Sequence, residues 1–137
     1  MIQGPETQLR WIPAVAYAGV LFFLSSRPAL GAGPWFPGAD KIIHASAYAI
    51  LSALVQWALE AMRPGPPPAP LRRRLGVSVV AAGLAAVYGI TDEYHQSFVP
   101  GRMADVWDVV ADATGAVAGV VLVRIWEAKR GRGAGQH

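Results

Sequence analysis

The sequence predicts an all-α fold: an integral membrane four-helix bundle with both termini in the cytoplasm. Hydrophobic residues make up 53% of the 137-residue chain and charged residues only 15%, against about 25% charged in typical soluble domains. Four apolar stretches each come close to the roughly 20 residues that a spanning helix needs. A water-soluble bundle of buried helices is the alternative, and it would need polar outer faces, which the first and third stretches lack.

The predicted spans belong to one domain that covers residues 1–137. They are expected at about residues 9–26, 41–62, 75–96 and 105–126. The proline- and arginine-rich residues 63–74 are expected to form a flexible linker, and residues 129–137 a disordered tail. Tryptophan rings prefer the headgroup region of a bilayer, and five tryptophans lie at or near the ends of the apolar stretches: Trp11, Trp35, Trp57, Trp107 and Trp126.

The distribution of charge predicts the orientation of the spans. With four spans, nine of the twelve basic residues fall on one side, which the positive-inside rule makes the cytoplasmic side. Six of the nine acidic residues fall on the other side. The basic net charge is therefore a topology signal, and no nucleic-acid partner is expected. A cleaved signal peptide ending near residues 29–31 is the alternative for the first stretch, and it would leave three spans.

Polar residues collect at the predicted outer ends of the spans. In the second span, Asp40, His44 and Tyr48 follow one another at helical spacing, with Lys41 beside them. Asp40 also suits the N-cap of this helix. His44 lies about one turn inside the span, where an imidazole needs a polar partner. Ser26 closes the first span on the same predicted side.

The third span ends in a polar segment followed by a turn. Glu93 and Gln96 share one helix face and are predicted to point inward. The proline and glycine of residues 99–101 are typical of a turn between two helices. Arg102 keeps its charge at any physiological pH, so it is expected to pair with a carboxylate or to hold an anion such as phosphate.

The fourth span carries acidic residues into an apolar helix. Asp105, Asp108 and Asp112 lie on one face at steps of three or four residues, and Gly115 and Gly119 continue that face. At a rise of about 1.5 Å per residue, Asp112 lies about 6 Å deeper than Asp108. Paired carboxylates supply an acid and a base, or they bond neighbouring helices. The glycines form a small-xxx-small pattern that lets another helix approach closely.

These motifs resemble the VanZ-like family of small bacterial integral membrane proteins. The resemblance rests on three patterns, D-K-x-x-H-x-x-x-Y, E-x-x-Q-x-F-x-P-G-R and D-x-x-D-x-x-x-N-x-x-G-x-x-x-G. The sequence departs from the third pattern at Asp112, where the family usually has asparagine. The resemblance implies a multi-pass protein of the bacterial inner (cytoplasmic) membrane, and a link to glycopeptide-antibiotic (teicoplanin) resistance through the founding member. It implies no established reaction, so whether the protein is an enzyme stays open.

The leading functional expectation is a polar site that faces the outer leaflet and binds or processes a lipid-linked, phosphate-bearing or envelope-glycan ligand. Acid-base chemistry would come from Glu93, His44, Asp108 and Asp112. Ligand contacts are expected from seven residues, of which the first two would hold an anion: Lys41, Arg102, Gln96, Asp40, Ser26, Tyr48 and Asp105.

Other interpretations remain open. The protein could be a non-enzymatic membrane scaffold or binding module, whose polar cluster is an internal packing network. No cofactor and no metal ligand are expected in the leading interpretation, although Asp40, His44, Glu93 and Asp108 would suit a divalent cation. A proton or ion pathway is disfavoured because the inner halves of the spans are expected to lack polar residues. The lipid bilayer is the expected partner, and the oligomeric state is undetermined.

Overall fold

A computed structural model describes residues 5–28, 36–62 and 70–133, and the described chain is helical with no strand. The all-α prediction is confirmed. The helices are α1 (Pro5–Leu9), α2 (Ile12–Ser25), α3 (Ala39–Ala61), α4 (Leu71–Gln96) and α5 (Val106–Gly133). Four helical segments are long and apolar enough to cross a membrane: Glu6–Ser25, Ala39–Ala61, Leu71–Gln96 and Val106–Gly131.

Two helices extend into segments that were predicted to be a linker or a tail. Helix α4 begins at Leu71, so the arginines at 72–74 lie on its first turn and not in a linker. Helix α5 continues to Gly133, which corrects the predicted disordered tail for residues 129–133. The prolines at 64 and 66–68, the signal-peptide motif at 29–31, Trp35 and residues 134–137 lie outside the described residues.

The outer surface of the bundle is apolar, as expected for helices solvated by lipid. Val79 is 72% exposed, Leu122 62% and Phe23 54%. The interior, in contrast, is built largely of small side chains, and Ala81 and Ala116 are both fully buried. A water-soluble bundle would reverse this arrangement, because the hydrophobic effect places the large apolar side chains inside. The surface therefore favours a membrane environment.

Helices α3 and α5 approach each other closely along a glycine face. A Cβ atom added to Gly115 would clash with the backbone carbonyl of Ala45, and one added to Gly119 would clash with the carbonyl of Ala49. Only a hydrogen fits at either position, so the two backbones are in direct contact. The small-xxx-small pattern predicted from the sequence is thus the contact between α3 and α5.

The three long helices α3, α4 and α5 all pack on one another, and α2 packs on α3 and α4. Because neighbouring spans run in opposite directions, the ends of α2 and α4 meet the beginnings of α3 and α5. We refer to this end of the bundle as the site end. Gly38 (φ 85°) and Gly101 (φ 79°) precede α3 and α5 there, in a left-handed conformation that suits glycine.

A candidate polar site at one end of the bundle

Lys41 binds three carboxylates at the site end. Its Nζ lies 3.1 Å from Asp40, 2.6 Å from Asp105 and 2.5 Å from Asp108. The ammonium group lowers the pKa of Asp105, and the backbone N–H of Trp107 adds to this effect by donating to the same carboxylate. Three acids more than offset one cation, so Lys41 is poorly suited to the anion-holding role expected from the sequence. Asp108 is likewise paired with the Lys41 ammonium.

A second group, the His44 triad, lies deeper and consists of His44, Glu93 and Asp112. Nδ1 of His44 is 2.9 Å from Oδ1 of Asp112. Glu93 Oε2 accepts a hydrogen bond of 3.1 Å from the backbone N–H of Asp105. Glu93 is 4% exposed and Asp112 only 1%. One ligand atom from each member of the triad lies within 4.8 Å of the other two.

Each buried acid of the triad keeps one oxygen without a hydrogen bond. Among the described residues, Oε1 of Glu93, Oδ2 of Asp112 and the hydroxyl of Tyr48 are buried and have no hydrogen-bond partner. Buried polar atoms in folded proteins are nearly always bonded, because desolvation without a partner is costly. Three such atoms close to one cluster need a physical explanation.

A chain of hydrogen bonds ties α2 to α4. Ser25 Oγ donates to Oδ1 of Asp92 at 2.6 Å, and Gln96 Nε2 donates to Oδ2 of the same residue at 3.1 Å. Arg102 Nη1 then donates to Oε1 of Gln96 at 3.1 Å. Ser25, Asp92 and Gln96 are all buried. Gln96 thus points into the bundle as predicted, and it joins Asp92 to Arg102.

Arg102 also binds the end of α2. Its Nη2 donates to the carbonyl of Leu24 at 3.1 Å and its Nε to the carbonyl of Arg27 at 3.0 Å. Within the described chain it forms no ion pair, which corrects the expectation of an internal salt bridge. A guanidinium has five N–H donors. Arg102 therefore keeps a positive charge without a paired carboxylate, and it has donors left over for a ligand.

A cavity of about 170 Å³ opens beside these groups. Arg102, His44 and Tyr48 contribute to its polar side, and Leu24 and Ile43 to its apolar side. The full lining consists of Leu21, Leu24, Ser25, Ile43, His44, Ala47, Tyr48, Asp92, Gln96 and Arg102. Three helix ends, from α2, α3 and α4, and the turn that holds Arg102 therefore converge on a cavity with two chemically different walls.

Ser26, which was expected to contact a ligand, lies beside His95. Its Oγ is 3.0 Å from Nε2 of the imidazole, and it donates to the carbonyl of Phe22 at 2.6 Å. The His95 ring stacks at a tilt on Phe22, with 4.6 Å between ring centroids. This pair lines no part of the cavity, so Ser26 contributes to the attachment of α2.

The pairing of His44 with Asp112 suits acid-base chemistry. A carboxylate bonded to one ring nitrogen orients the imidazole and stabilises its protonated form, as in hydrolytic triads. The other nitrogen, Nε2, has no hydrogen-bond partner in the described part of the chain, and His44 lines the cavity. The arrangement can therefore move a proton to or from a group bound there.

Several polar residues of the site were not predicted as site residues. Ser25 is expected only to close the first span with Ser26, and helical periodicity places Asp92 on a neighbouring face to Glu93. Ser52 and Gln56 are fully buried, and Gln56 has no hydrogen-bond partner among the described residues. The expectation that the inner halves of the spans lack polar residues is therefore wrong for α3.

A second polar cluster at the opposite end of the bundle was also missed. The Arg124 guanidinium contacts Oε1 of Glu60 at 2.5 Å, Oε2 of Glu127 at 2.9 Å and Oγ of Ser78 at 2.9 Å. Its Nη2 donates to the carbonyl of Arg74 at 2.6 Å. One side chain thereby bonds α3, α4 and α5 together. From the sequence alone, Arg124 indicates only the topology of the spans.

The fold and the site together define a small multi-pass membrane protein with a buried, mainly acidic polar site at one end of its helix bundle. The VanZ/LLP1 family model matches residues 3–127, nearly the whole chain. The protein belongs to the VanZ/LLP1 family, as the sequence motifs suggested. No curated protein and no solved structure matches the chain.

Proposed function

We propose that this protein binds the phosphate-bearing headgroup of a lipid-linked envelope ligand in the cavity at the site end. The observation that carries the proposal is Arg102, which lines a half-apolar cavity while bonded only to neutral oxygens. A guanidinium with free donors suits the planar, bidentate recognition of phosphate oxygens. Lys41 has no such freedom, because three carboxylates surround it.

The apolar wall of the cavity favours a lipid over a soluble anion. Leu24 is 54% exposed and Ile43 63%, on the surface that faces the bilayer. About one helical turn back toward the beginning of α2, a groove of about 210 Å³ runs between α2, α3 and α4, with Ala18 and Leu51 in its lining. A ligand with its phosphate at Arg102 would thus find apolar surface for its hydrocarbon chain.

The proposed ligand lies in the outer leaflet. The opposite end of the bundle carries most of the basic side chains, including Arg10, Arg74 and Arg130, and the positive-inside rule assigns that end to the cytoplasm. Under this proposal, an effect on teicoplanin or other glycopeptide susceptibility would arise from ligand binding at Arg102.

Retention of defined lipids by the purified protein tests the proposal. Native mass spectrometry in detergent would compare a polyprenyl phosphate with the corresponding neutral polyprenol. We expect the wild-type protein to retain the phosphate form, and Arg102→Ala to retain it about tenfold less, equivalent to about 1.4 kcal/mol. Equal retention of the phosphate and the alcohol by the wild-type protein would refute the proposal.

Arg130→Ala is the matched control, because it removes the same charge far from the cavity. The Arg130 guanidinium lies 4.0 Å from the ring centroid of Trp126 at the opposite end of the bundle. A similar loss in both variants would indicate attraction to the net charge of the protein and not to the cavity. In bacteria, the same two variants would be compared for teicoplanin susceptibility.

A packing network is the second candidate, because the bonds from Ser25 through Asp92 and Gln96 to Arg102 also fasten α2 to the bundle. In that case Arg102→Ala would lower thermal stability without changing lipid selectivity. Arg102→Lys loses the fork of donors that bridges Gln96 to α2, so thermal stability should fall as in Arg102→Ala. Because lysine keeps the positive charge, partial retention of the preference for the phosphate lipid is expected only if the cavity binds phosphate.

A further inference from the structure

We propose that the His44 triad binds one divalent transition-metal cation, of the Zn²⁺ or Mn²⁺ kind. The inference begins with the burial of two acids, Glu93 at 4% and Asp112 at 1% exposure, in apolar helices. Charge in a membrane-spanning helix is costly unless it is paired. A dication would balance two carboxylates, with His44 as a neutral ligand.

The unbonded oxygens give independent support to this site. Oε1 of Glu93 and Oδ2 of Asp112 are buried and have no hydrogen-bond partner in the described residues. Glu93 uses its other oxygen to accept a hydrogen bond from the Asp105 backbone. Oδ1 of Asp112 lies 2.9 Å from Nδ1 of His44, and a cation bound through Nδ1 would take the place of that hydrogen bond. Glu93, held through one oxygen by the Asp105 backbone and free at the other, is in the state expected of a metal ligand whose orientation is fixed by its surroundings.

The spacing of the triad suits coordination after a small movement. One candidate ligand atom from each residue lies within 4.8 Å of the others, whereas ligands about 2.1 Å from a metal are about 3 to 4 Å apart. Because the three residues come from α3, α4 and α5, coordination would require their side chains to move toward one another from three different helices. Imidazole and carboxylate together suit Zn²⁺ and Mn²⁺ better than Ca²⁺, which prefers oxygen ligands alone.

Asp40 and Asp108, which the sequence suggested as metal ligands, are not part of this site. Both lie on the Lys41 ammonium, at 3.1 and 2.5 Å. Asp112 takes their place, and its carboxylate supplies the second negative charge of the site. An amide would supply no negative charge, so the aspartate of this chain is suited to a cation.

The role of the cation rests on the proposed function. His44 belongs to the triad and also lines the cavity that contains Arg102. A cation at the triad would add positive charge to a site end dominated by acids, and it would help the cavity to accept a phosphate. Binding of the cation itself is measured without any lipid.

The experiment loads the purified protein in detergent, after chelator treatment, with Zn²⁺, Mn²⁺ or Ca²⁺ alone. We expect about one saturable Zn²⁺ or Mn²⁺ per chain by isothermal titration and elemental analysis, and a higher midpoint of thermal unfolding. Glu93→Gln and Asp112→Asn should each weaken binding at least about tenfold. Absence of saturable binding to the wild-type protein would overturn the inference.

Asp105→Asn is the control, because Asp105 is an acid of the same end that lies outside the triad. An equal loss of affinity in Asp105→Asn and Asp112→Asn would mean adsorption to a general acidic surface, and would also overturn the inference. If the triad variants fail to fold, NMR of the wild-type protein loaded with Co²⁺ tests the inference. Paramagnetically shifted imidazole signals support His44 ligation, and their absence contradicts it.

The two proposals can fail separately. If the chelated protein retains the polyprenyl phosphate and binds no metal, the lipid proposal stands and the metal inference fails. If the metal binds at the triad and the phosphate lipid is not retained, the metal inference stands without the proposed function.

Discussion

Gly89 of α4 lies directly against Asp112 of α5. A Cβ atom at residue 89 would be 2.8 Å from Oδ2 of Asp112, 3.0 Å from its Cβ and 3.2 Å from Cε1 of Tyr48. These separations are shorter than the roughly 3.5 to 4.0 Å of favourable carbon contacts. The missing side chain at residue 89 therefore determines where the buried carboxylate can lie.

Replacing Gly89 with alanine should destabilise the protein. The added methyl group overpacks the interface of α4 with α5, which typically costs about 1 to 3 kcal/mol, and it displaces the Asp112 carboxylate from His44. Thermal unfolding in detergent would measure the loss. Gly83→Ala is the control on the same helix, since a Cβ there meets nothing within 4 Å.

The control should leave stability unchanged or raise it by about 0.5 to 1 kcal/mol, because alanine is the better helix former. Equal effects of Gly83→Ala and Gly89→Ala would contradict the steric account. Loss of metal affinity in Gly89→Ala, with the helix content intact, would further connect this contact to the triad.

The sequence predicted the helices and one face of the site well. Asp112, Gly115 and Gly119 share a helical face, and that face does meet α3, because periodicity within one helix is a local property. The pairing of Ser25 with Asp92 was not predictable in the same way. It depends on the angle at which α2 packs on α4, and a single sequence contains no measurement of that angle.

Replacing Arg124 with alanine should destabilise the bundle. The change leaves Glu60 and Ser78 without the guanidinium that bonds them. Because the Arg124 side chain is 16% and the Glu60 side chain 32% exposed, the cost should lie between the roughly 1 kcal/mol of an exposed pair and the roughly 3 to 5 kcal/mol of a fully buried one. Arg124→Lys should give a smaller loss, since it keeps the charge but not the fork of donors. Chemical denaturation in detergent would compare both with Arg130→Ala.

Arg130 is a fair control because its side chain is exposed and lies over the Trp126 ring, away from Glu60 and Ser78. A loss in Arg124→Ala no larger than in Arg130→Ala would show that the cluster at the opposite end adds little to stability. The sequence alone could not separate these two arginines, which lie six residues apart on one helix. Only the positions of Glu60 and Ser78 on neighbouring helices distinguish them.

The carboxyl of Asp105 should titrate at a lower pH than an ordinary aspartate. The Lys41 ammonium lowers its pKa, and the Trp107 backbone N–H contributes. Because the folded-state pKa is lowered, the contact stabilises the fold above the ordinary aspartate range. This stabilisation is lost as the pH falls through the lowered pKa.

Carbon NMR of a labelled aspartate carboxyl would check the titration of Asp105. We expect Lys41→Met to raise its midpoint toward the ordinary value, and added salt to narrow the difference between the two proteins, since the pair is partly exposed. Identical midpoints with and without Lys41 would contradict the assigned cause.

The direct backbone contact between α3 and α5 has a consequence for biosynthesis. These helices are separated in the chain by α4, so their glycine contact forms only after α5 has been synthesised and inserted. Asp112 then enters the bilayer when His44 is already there to receive it. The order of the helices along the chain thus places the most deeply buried acid in the last span to arrive.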